Sequence, residues 1–313
     1  MAKIIMTGVD GNLGGHAART IMKKIAPEHL IFTAPRKRAL ERYAAQGIET
    51  RHADFNNPGR LKEAFSSGEV LLLVSVPFVG EKRRNAHRNA VDAAVAAGVT
   101  KIVYTSLVGC GDDACKSYEK ADHQYTEDYI LSSGLRYLFL RNSQYCEAMI
   151  SAFENAANAG GVLSNNMGDG RMAHISRYDC AEAAACAAAG AGEDNKIYYI
   201  SGQTAYTMTE FVGIGSEVTG KKVTYEYIDD AAMYKFFDDL GVPRYTDGEW
   251  AESADAFPYC SEGMVSFSIA VRKGQMSHCT RDFETLTGRK PLTVRYMFEN
   301  LENFRIGSRK STD

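Results

Sequence analysis

Through its first two hundred residues the chain alternates short β-branched apolar runs with longer stretches of helical periodicity. Residues 4–7, 30–33, 48–52, 70–75, 101–105, 137–140 and 197–200 read as strands. Three of them, LLLVS, KIVYT and YLFL, are apolar without alternation, as expected of parallel strands covered by helices on both faces. Between them, residues 13–25, 60–65, 82–97, 117–133 and 179–189 read as helices. The alanine-rich run 181–189 is read as a helix lying close on the sheet, with Asp179 as its N-cap. The alternation predicts an α/β fold, a Rossmann-like doubly wound parallel sheet.

The pattern changes after residue 203. A helix over 208–218 and a strand near 223–228 are followed by a long stretch, 229–282, of weaker periodicity. Neither an internal repeat nor a Pro/Ser-rich linker separates the two parts. The expected organisation is a dinucleotide-binding domain over 1–203, to which later elements return, and a smaller substrate-side C-terminal lobe over 204–313 packed on it.

Chemistry enters at the first turn. Strand 4–7 runs into Gly8-Val9-Asp10-Gly11-Asn12-Leu13-Gly14-Gly15 and then a helix, the strand-turn-helix context of a dinucleotide site. Gly8 allows the tight turn, Gly11 the approach of backbone to a pyrophosphate, and Gly14 the packing of helix on strand, with Asp10, Asn12 and Leu13 completing the cradle. The bland alternative is a glycine-rich turn that binds nothing. The second strand lacks the terminal acid that holds the ribose hydroxyls in NAD-specific sheets. It ends Phe32-Thr33-Ala34-Pro35-Arg36-Lys37-Arg38, which places Thr33, Arg36 and Lys37 where a 2′-phosphate would sit and favours NADP(H) over NAD(H). Those cations also suit the solvated first turn of the next helix. Asp54, with Phe55, follows the third strand and either meets the adenine amino group or caps the helix after Pro58. Val74, Ser75 and Val76, then Pro77 and Phe78, leave the fourth strand at the carboxyl edge, where the nicotinamide ribose should pass, and Tyr104, Thr105 and Ser106 end the fifth strand at the same edge.

Composition narrows the class. A net charge of −3 and a pI near 6.2 leave no basic surplus for nucleic acid. No run of about 18 apolar residues is present, and MAKIIMTG leads directly into a strand, so a cytoplasmic protein without membrane segment or signal peptide is expected. The seven cysteines are scattered and never spaced CxxC, which argues for reduced thiols and no metal site. The expected partner is a small-molecule substrate, with a homodimer left open.

The glycine loop Gly8 to Gly14, Ala45-Gln46-Gly47-Ile48, Arg51-His52-Ala53-Asp54, His87-Arg88-Asn89, Tyr104-Thr105-Ser106-Leu107, His123, Thr126-Glu127, Leu140-Arg141-Asn142, Gly168-Asp169-Gly170 and Tyr178-Asp179 together resemble one family. It is the NmrA-like group of atypical short-chain dehydrogenases, in its NADPH-dependent quinone oxidoreductase type 2 branch. The resemblance spans most of residues 3 to 230. It implies NADPH binding and reduction of quinones or related conjugated carbonyls, without flavin or metal. Asp10 departs from the small Thr or Ser common in that turn, and Thr33 stands where an Arg commonly meets the 2′-phosphate.

Ordinary short-chain dehydrogenases place a Tyr and a Lys four apart on one helix face. Here Tyr118, Tyr125 and Tyr129 are followed four residues later by Asp122, Tyr129 and Ser133. His123 is the candidate proton donor, because it falls where related pinoresinol-lariciresinol and isoflavone reductases carry a catalytic Lys, and an ordinary imidazole would titrate near pH 7. Lys120 is the fallback, and each has the bland reading of an ordinary helix residue. Asn142 and Tyr145 are expected to shape the substrate pocket, Cys146 to be core, and Trp250, Phe257 and Tyr259 to form either an aromatic lid or core. Three functions compete: a quinone-type reductase, a benzylic-ether or isoflavonoid-type reductase, and a non-catalytic NADP(H) sensor.

Overall fold

The computed structural model describes residues 3–246 and 259–306. Within them, seven parallel strands form the main sheet: β1 (Ile4–Met6), β2 (Leu30–Ala34), β3 (Glu49–His52), β4 (Val70–Leu73), β5 (Lys101–Leu107), β6 (Arg136–Asn142) and, after a short strand β7 (Val162–Asn165) that lies elsewhere, β8 (Lys196–Ile200). Their order is β3-β2-β1-β4-β5-β6-β8. The winding direction reverses between β1 and β4, which opens the crevice where such sheets bind ligands.

Both faces are covered, which explains apolar strands without alternation. In β1, Ile4 and Met6 point into one core and Ile5 into the other. The first core is closed by helices α1 (Asn12–Ile21) and α2 (Lys37–Ala44). The second is closed by α3 (Leu61–Phe65), α4 (Glu81–Ala97) and α5 (Tyr118–Ser132). After α6 (Cys146–Asn158) comes α7 (Arg177–Ala188), whose alanines are buried between α1 and the sheet, as the alanine-rich run implied. Its N-cap is Ser176, which accepts the Asp179 N–H at 3.0 Å. Asp179 instead turns inward, where its carboxylate accepts Arg289 Nη2 at 2.6 Å and the Leu292 N–H at 2.8 Å. Its expected capping role is therefore corrected to that of an anchor for the C-terminal segment.

The lobe contains α8 (Met208–Thr219), β9 (Thr224–Tyr227), α9 (Asp230–Asp239), α10 (Ser261–Arg272), α11 (Asp282–Thr287), α12 (Val294–Glu299) and α13 (Leu301–Phe304). Strand β9 pairs in parallel with β7, so the lobe takes a strand from before residue 203. Phe153 of α6, Phe211 of α8 and Phe298 of α12 meet at its centre, with ring centroids 5.1 and 5.2 Å apart. In the opposite direction, residues 280–282 return to the main sheet. Thr280 donates to the Tyr199 carbonyl at 2.9 Å and Asp282 accepts the Tyr199 N–H at 2.7 Å, which covers the outer edge of β8. The weakly periodic stretch 229–282 holds α9 and α10, which pack on each other around Met233, Phe237 and Val265. No helix among the described residues is long and apolar enough to cross a membrane.

A Cβ on Gly14 would lie 2.0 Å from the Gly8 carbonyl oxygen, whereas one on Gly11 would approach that oxygen only to 3.4 Å. Gly14→Ala is therefore expected to lose about 3 kcal/mol or more of stability in urea unfolding, and Gly11→Ala less than about 1 kcal/mol.

Candidate active site

The turn between β1 and α1 is built for close approach. Gly8 sits at φ 62°, Gly11 N–H returns to the Gly8 carbonyl at 3.0 Å, and Val9 N–H reaches the Thr33 carbonyl of β2 at 3.3 Å. No side chain caps α1 and no acid occupies its first turn, so its N-terminus at Asn12 and Leu13 is open to an anion. Thr33 does not face this site. It is buried and its hydroxyl donates to the Met6 carbonyl at 3.3 Å, which corrects the expected side-chain contact with a 2′-phosphate. Arg36 does reach the turn: Nε donates to Asp10 Oδ2 at 2.8 Å and Nη2 to the Asp10 carbonyl at 2.7 Å. Lys37 begins α2 and, with His52, Asp54, Asn57 and Arg60, lines a cavity of about 240 Å³. Asp54 Oδ1 accepts the Asn56 N–H at 2.9 Å, a local turn rather than a cap on the helical turn at Pro58. The Phe55 ring is buried in the core beside Phe65, 6.3 Å between centroids, which leaves only its backbone for the expected cofactor contact.

At the other end of the crevice, the segment leaving β4 is held by side chains. Val74 N–H donates to Thr7 Oγ1 at 3.0 Å, Ser75 N–H to Thr105 Oγ1 at 2.8 Å, Val76 N–H to His87 Nε2 at 3.1 Å, and Gly80 N–H to Asp122 Oδ2 at 2.6 Å. Pro77 is exposed, and the Lys82 ammonium lies 4.3 Å above the Phe78 ring. The network assigns the buried protons. His87 Nε2 accepts, so Nδ1 carries the proton and donates to Thr126 Oγ1 at 2.9 Å, while Thr126 donates to the Asp122 carbonyl at 2.9 Å. The Tyr104 hydroxyl is then free to donate to His123 Nδ1 at 2.8 Å, which leaves the His123 proton on Nε2.

His123 is buried in this cluster. Desolvation, with Arg83 and His87 nearby, pushes it well below the usual imidazole value, against the expectation of titration near pH 7, and favours the neutral form. Burial beside Arg83 likewise lowers His87 to about 3. Burial raises Asp122 to about 6 against the opposing pull of Arg83 and Arg84, the latter bonded to it at 2.8 Å. Lys120, one turn before His123, is only 8 % exposed, and its ammonium forms no ion pair among the described residues.

Tyr104 and Ser106 do not offer side chains to a cofactor, and those expectations are corrected. Tyr104 is enclosed on the α4–α5 face and engages His123, while Ser106 donates to Glu127 Oε1 at 2.5 Å, and Glu127 also holds Arg141 through bonds of 3.0 and 2.6 Å. Thr105 is spent on Ser75 N–H. Asn142, at the end of β6, donates to the Tyr145 hydroxyl at 3.3 Å, joining the two expected pocket residues. Cys146 is buried core, and burial raises its thiol. Trp250 and Phe257 lie outside the described residues, and Tyr259 packs 6.3 Å from Phe237 in the α9–α10 cluster. No group of metal-binding side chains occurs among the described residues. Sequence reasoning gave no role to Thr7, Arg83, His87, Asp122 or Thr126. The four-residue spacings Arg83 to His87 and Asp122 to Thr126 put each pair on one helix face, but nothing in the spacing says that these faces meet.

The family model described as the NmrA-like family matches residues 1–283. The chain belongs to the NmrA-like family. This NmrA-like chain is 34% identical over 240 residues to quinone oxidoreductase 2 of Escherichia coli strain K12, covering 77% of this chain and 82% of that protein. The solved E. coli NADPH-dependent quinone oxidoreductase complexed with NADPH superposes with a TM-score of 0.85 at 30% identity, covering 96% of this chain and all of that one. The Citrobacter triphenylmethane reductase complexed with NADP(H) gives a TM-score of 0.82 at 29% identity, covering 95% and 99% of the two chains.

The buried histidines give folding a pH dependence of known sign. His87, and His174 beside Phe211, are both lowered to about 3, so they stay neutral when folded and take up a proton when unfolded below 6.5. Each therefore removes about 1.4 kcal/mol of stability per pH unit as pH falls below 6.5. Asp122, raised to about 6 from 3.8, acts in the opposite sense between those two values. His174→Leu, remote from the β4 segment, is expected to flatten the loss between pH 6 and 5 by about 1.4 kcal/mol, read by urea unfolding at the two pH values.

Proposed function

We propose that this chain is an NADPH-dependent reductase that delivers hydride to a quinone or a related conjugated carbonyl. The observation that carries the reading is the buried His123, whose Nδ1 accepts the Tyr104 hydroxyl so that its proton sits on Nε2, in the cluster where His87 also holds the Val76 N–H after β4. The cofactor site fits its group: Gly14 lets α1 start hard against the Gly8 carbonyl, the α1 N-terminus is uncapped with no acid in its first turn, and Arg36 and Lys37 follow β2. When bound, the dihydronicotinamide supplies hydride.

The remaining work falls to the chain. The Gly8–Gly14 turn and the α1 N-terminus hold the pyrophosphate, and Arg36 with Lys37 favours NADPH over NADH. The bonded N–H groups of Val74, Ser75 and Val76 hold the wall against which the nicotinamide ribose lies. Hydride addition to a quinone leaves a delocalised hydroquinone anion, so a weak donor suffices, whereas a simple ketone would leave a far more basic alkoxide. A neutral imidazole N–H is such a hydrogen-bond donor: it keeps its proton and stabilises the developing anion, and solvent supplies the proton that completes the hydroquinone. Asn142 and Tyr145 orient the substrate from the β6 end. A cytoplasmic location belongs to the same proposal, supported by seven unpaired thiols that suit a reducing compartment. No observation favours the ether-reductase or sensing reading over this one.

Purified protein mixed with NADPH or NADH and a panel of quinones, enones and lignan-type ethers, followed at the nicotinamide absorbance, is expected to oxidise NADPH with quinones. Oxidation with ethers alone, or tight binding without oxidation of any kind, rejects the proposal. His123→Ala is expected to keep NADPH affinity and lose at least about tenfold in turnover, about 1.4 kcal/mol. Unchanged turnover there, with loss in Lys120→Met, transfers the donor role to Lys120.

A further inference from the structure

The carboxylate of Asp10 lies inside the turn that receives the cofactor's negative charge. It is 7 % exposed and sits just before the first turn of α1, where the helix dipole and free N–H groups draw in an anion. A second anion so placed opposes the first unless a cation balances it. Arg36 supplies that cation, through Nε to Oδ2 at 2.8 Å and Nη2 to the Asp10 carbonyl at 2.7 Å. The same guanidinium stands just past the end of β2, where sheets of this kind meet a 2′-phosphate. Two anions therefore claim one arginine, and Thr33, turned into the sheet, offers no substitute.

We propose that Asp10 sets how strongly the site discriminates between NADPH and NADH, by holding Arg36 in an internal ion pair with which the 2′-phosphate must compete. The proposal rests on the cofactor reading above. When NADH binds, no charge arrives at this point and the pair stays intact. When NADPH binds, a group of nearly two negative charges draws Arg36 toward itself. Asp10 then shares or loses its partner while still buried, and a buried carboxylate without its cation is costly. Part of the attraction between Arg36 and the phosphate is cancelled in this way, and NADPH and NADH affinities are brought closer together than Arg36 alone would set them.

Calorimetric titration of wild type and variants with NADPH, NADH, 2′,5′-ADP and 5′-ADP tests this apart from catalysis, because the last two probes carry the phosphate difference without a nicotinamide. Asp10→Asn keeps the shape and removes the charge. It is expected to tighten NADPH and 2′,5′-ADP about tenfold while NADH and 5′-ADP move by less than about threefold. Arg36→Ala is expected to weaken NADPH at least about tenfold, and adding Asp10→Asn to it should shift NADPH and NADH alike and leave their affinity ratio unchanged, since the contested guanidinium is gone. Asp10→Ser provides a second uncharged variant, and thermal melts confirm that each variant folds. An NADPH-to-NADH affinity ratio unchanged in both uncharged variants overturns the proposal and leaves the cofactor reading standing. Weaker NADPH binding in Asp10→Asn also overturns it, making Asp10 a support for Arg36 rather than its competitor. Wild type that binds neither nucleotide nor 2′,5′-ADP overturns the cofactor reading and this inference with it.

Discussion

The backbone N–H groups that leave the end of β4 have run out of sheet to bond to, and the site is organised around satisfying them. A buried amide without an acceptor costs about as much as a lost hydrogen bond. Thr7 just past β1, Thr105 from β5, His87 from α4 and Asp122 from α5 each supply one acceptor. Four elements far apart in sequence thus converge on one short segment and hold it at the mouth of the crevice. The tautomer of His87 follows from the Val76 bond, and the direction of the Tyr104 hydroxyl follows from that tautomer. The orientation of His123 is therefore a consequence of backbone accounting several residues away.

The two ends of the crevice differ in electrostatic character. Past the end of β2, Lys37 and Arg60 stand exposed around a cavity lined by polar side chains, and the one carboxylate in the glycine turn is balanced by the exposed Arg36. Past the end of β4, burial, with Arg83 nearby, holds His87 and His123 well below the usual imidazole value. Such a gradient suits a ligand that is anionic at one end and reacts at the other. Deeper ion pairs serve placement more than stability, since buried pairs roughly offset their own desolvation. Glu127 with Arg141 ties α5 to β6, and Asp179 with Arg289 ties α7 to the C-terminal segment.

The sequence by itself determined the α/β class, the strands of the sheet, the glycine turn with its strand-turn-helix context, and the buried alanine helix. These are legible because each depends on local composition: unbroken apolar runs require two covered faces, and Gly14 requires the absence of a Cβ against the Gly8 carbonyl. Tertiary structure alone decided which way polar side chains turn on those strands. Thr33, Tyr104 and Ser106 sit at the carboxyl edge as their positions implied, yet their side chains serve the interior. When both faces of a strand are buried, alternation carries no polarity signal to tell them apart. The burial of His123 was not legible in the sequence, because its desolvation comes from α4 and β5, not from its own helix. The composition of the lobe escaped for a similar reason: pairing of β7 with β9 joins segments sixty residues apart, and only packing selects such a partner.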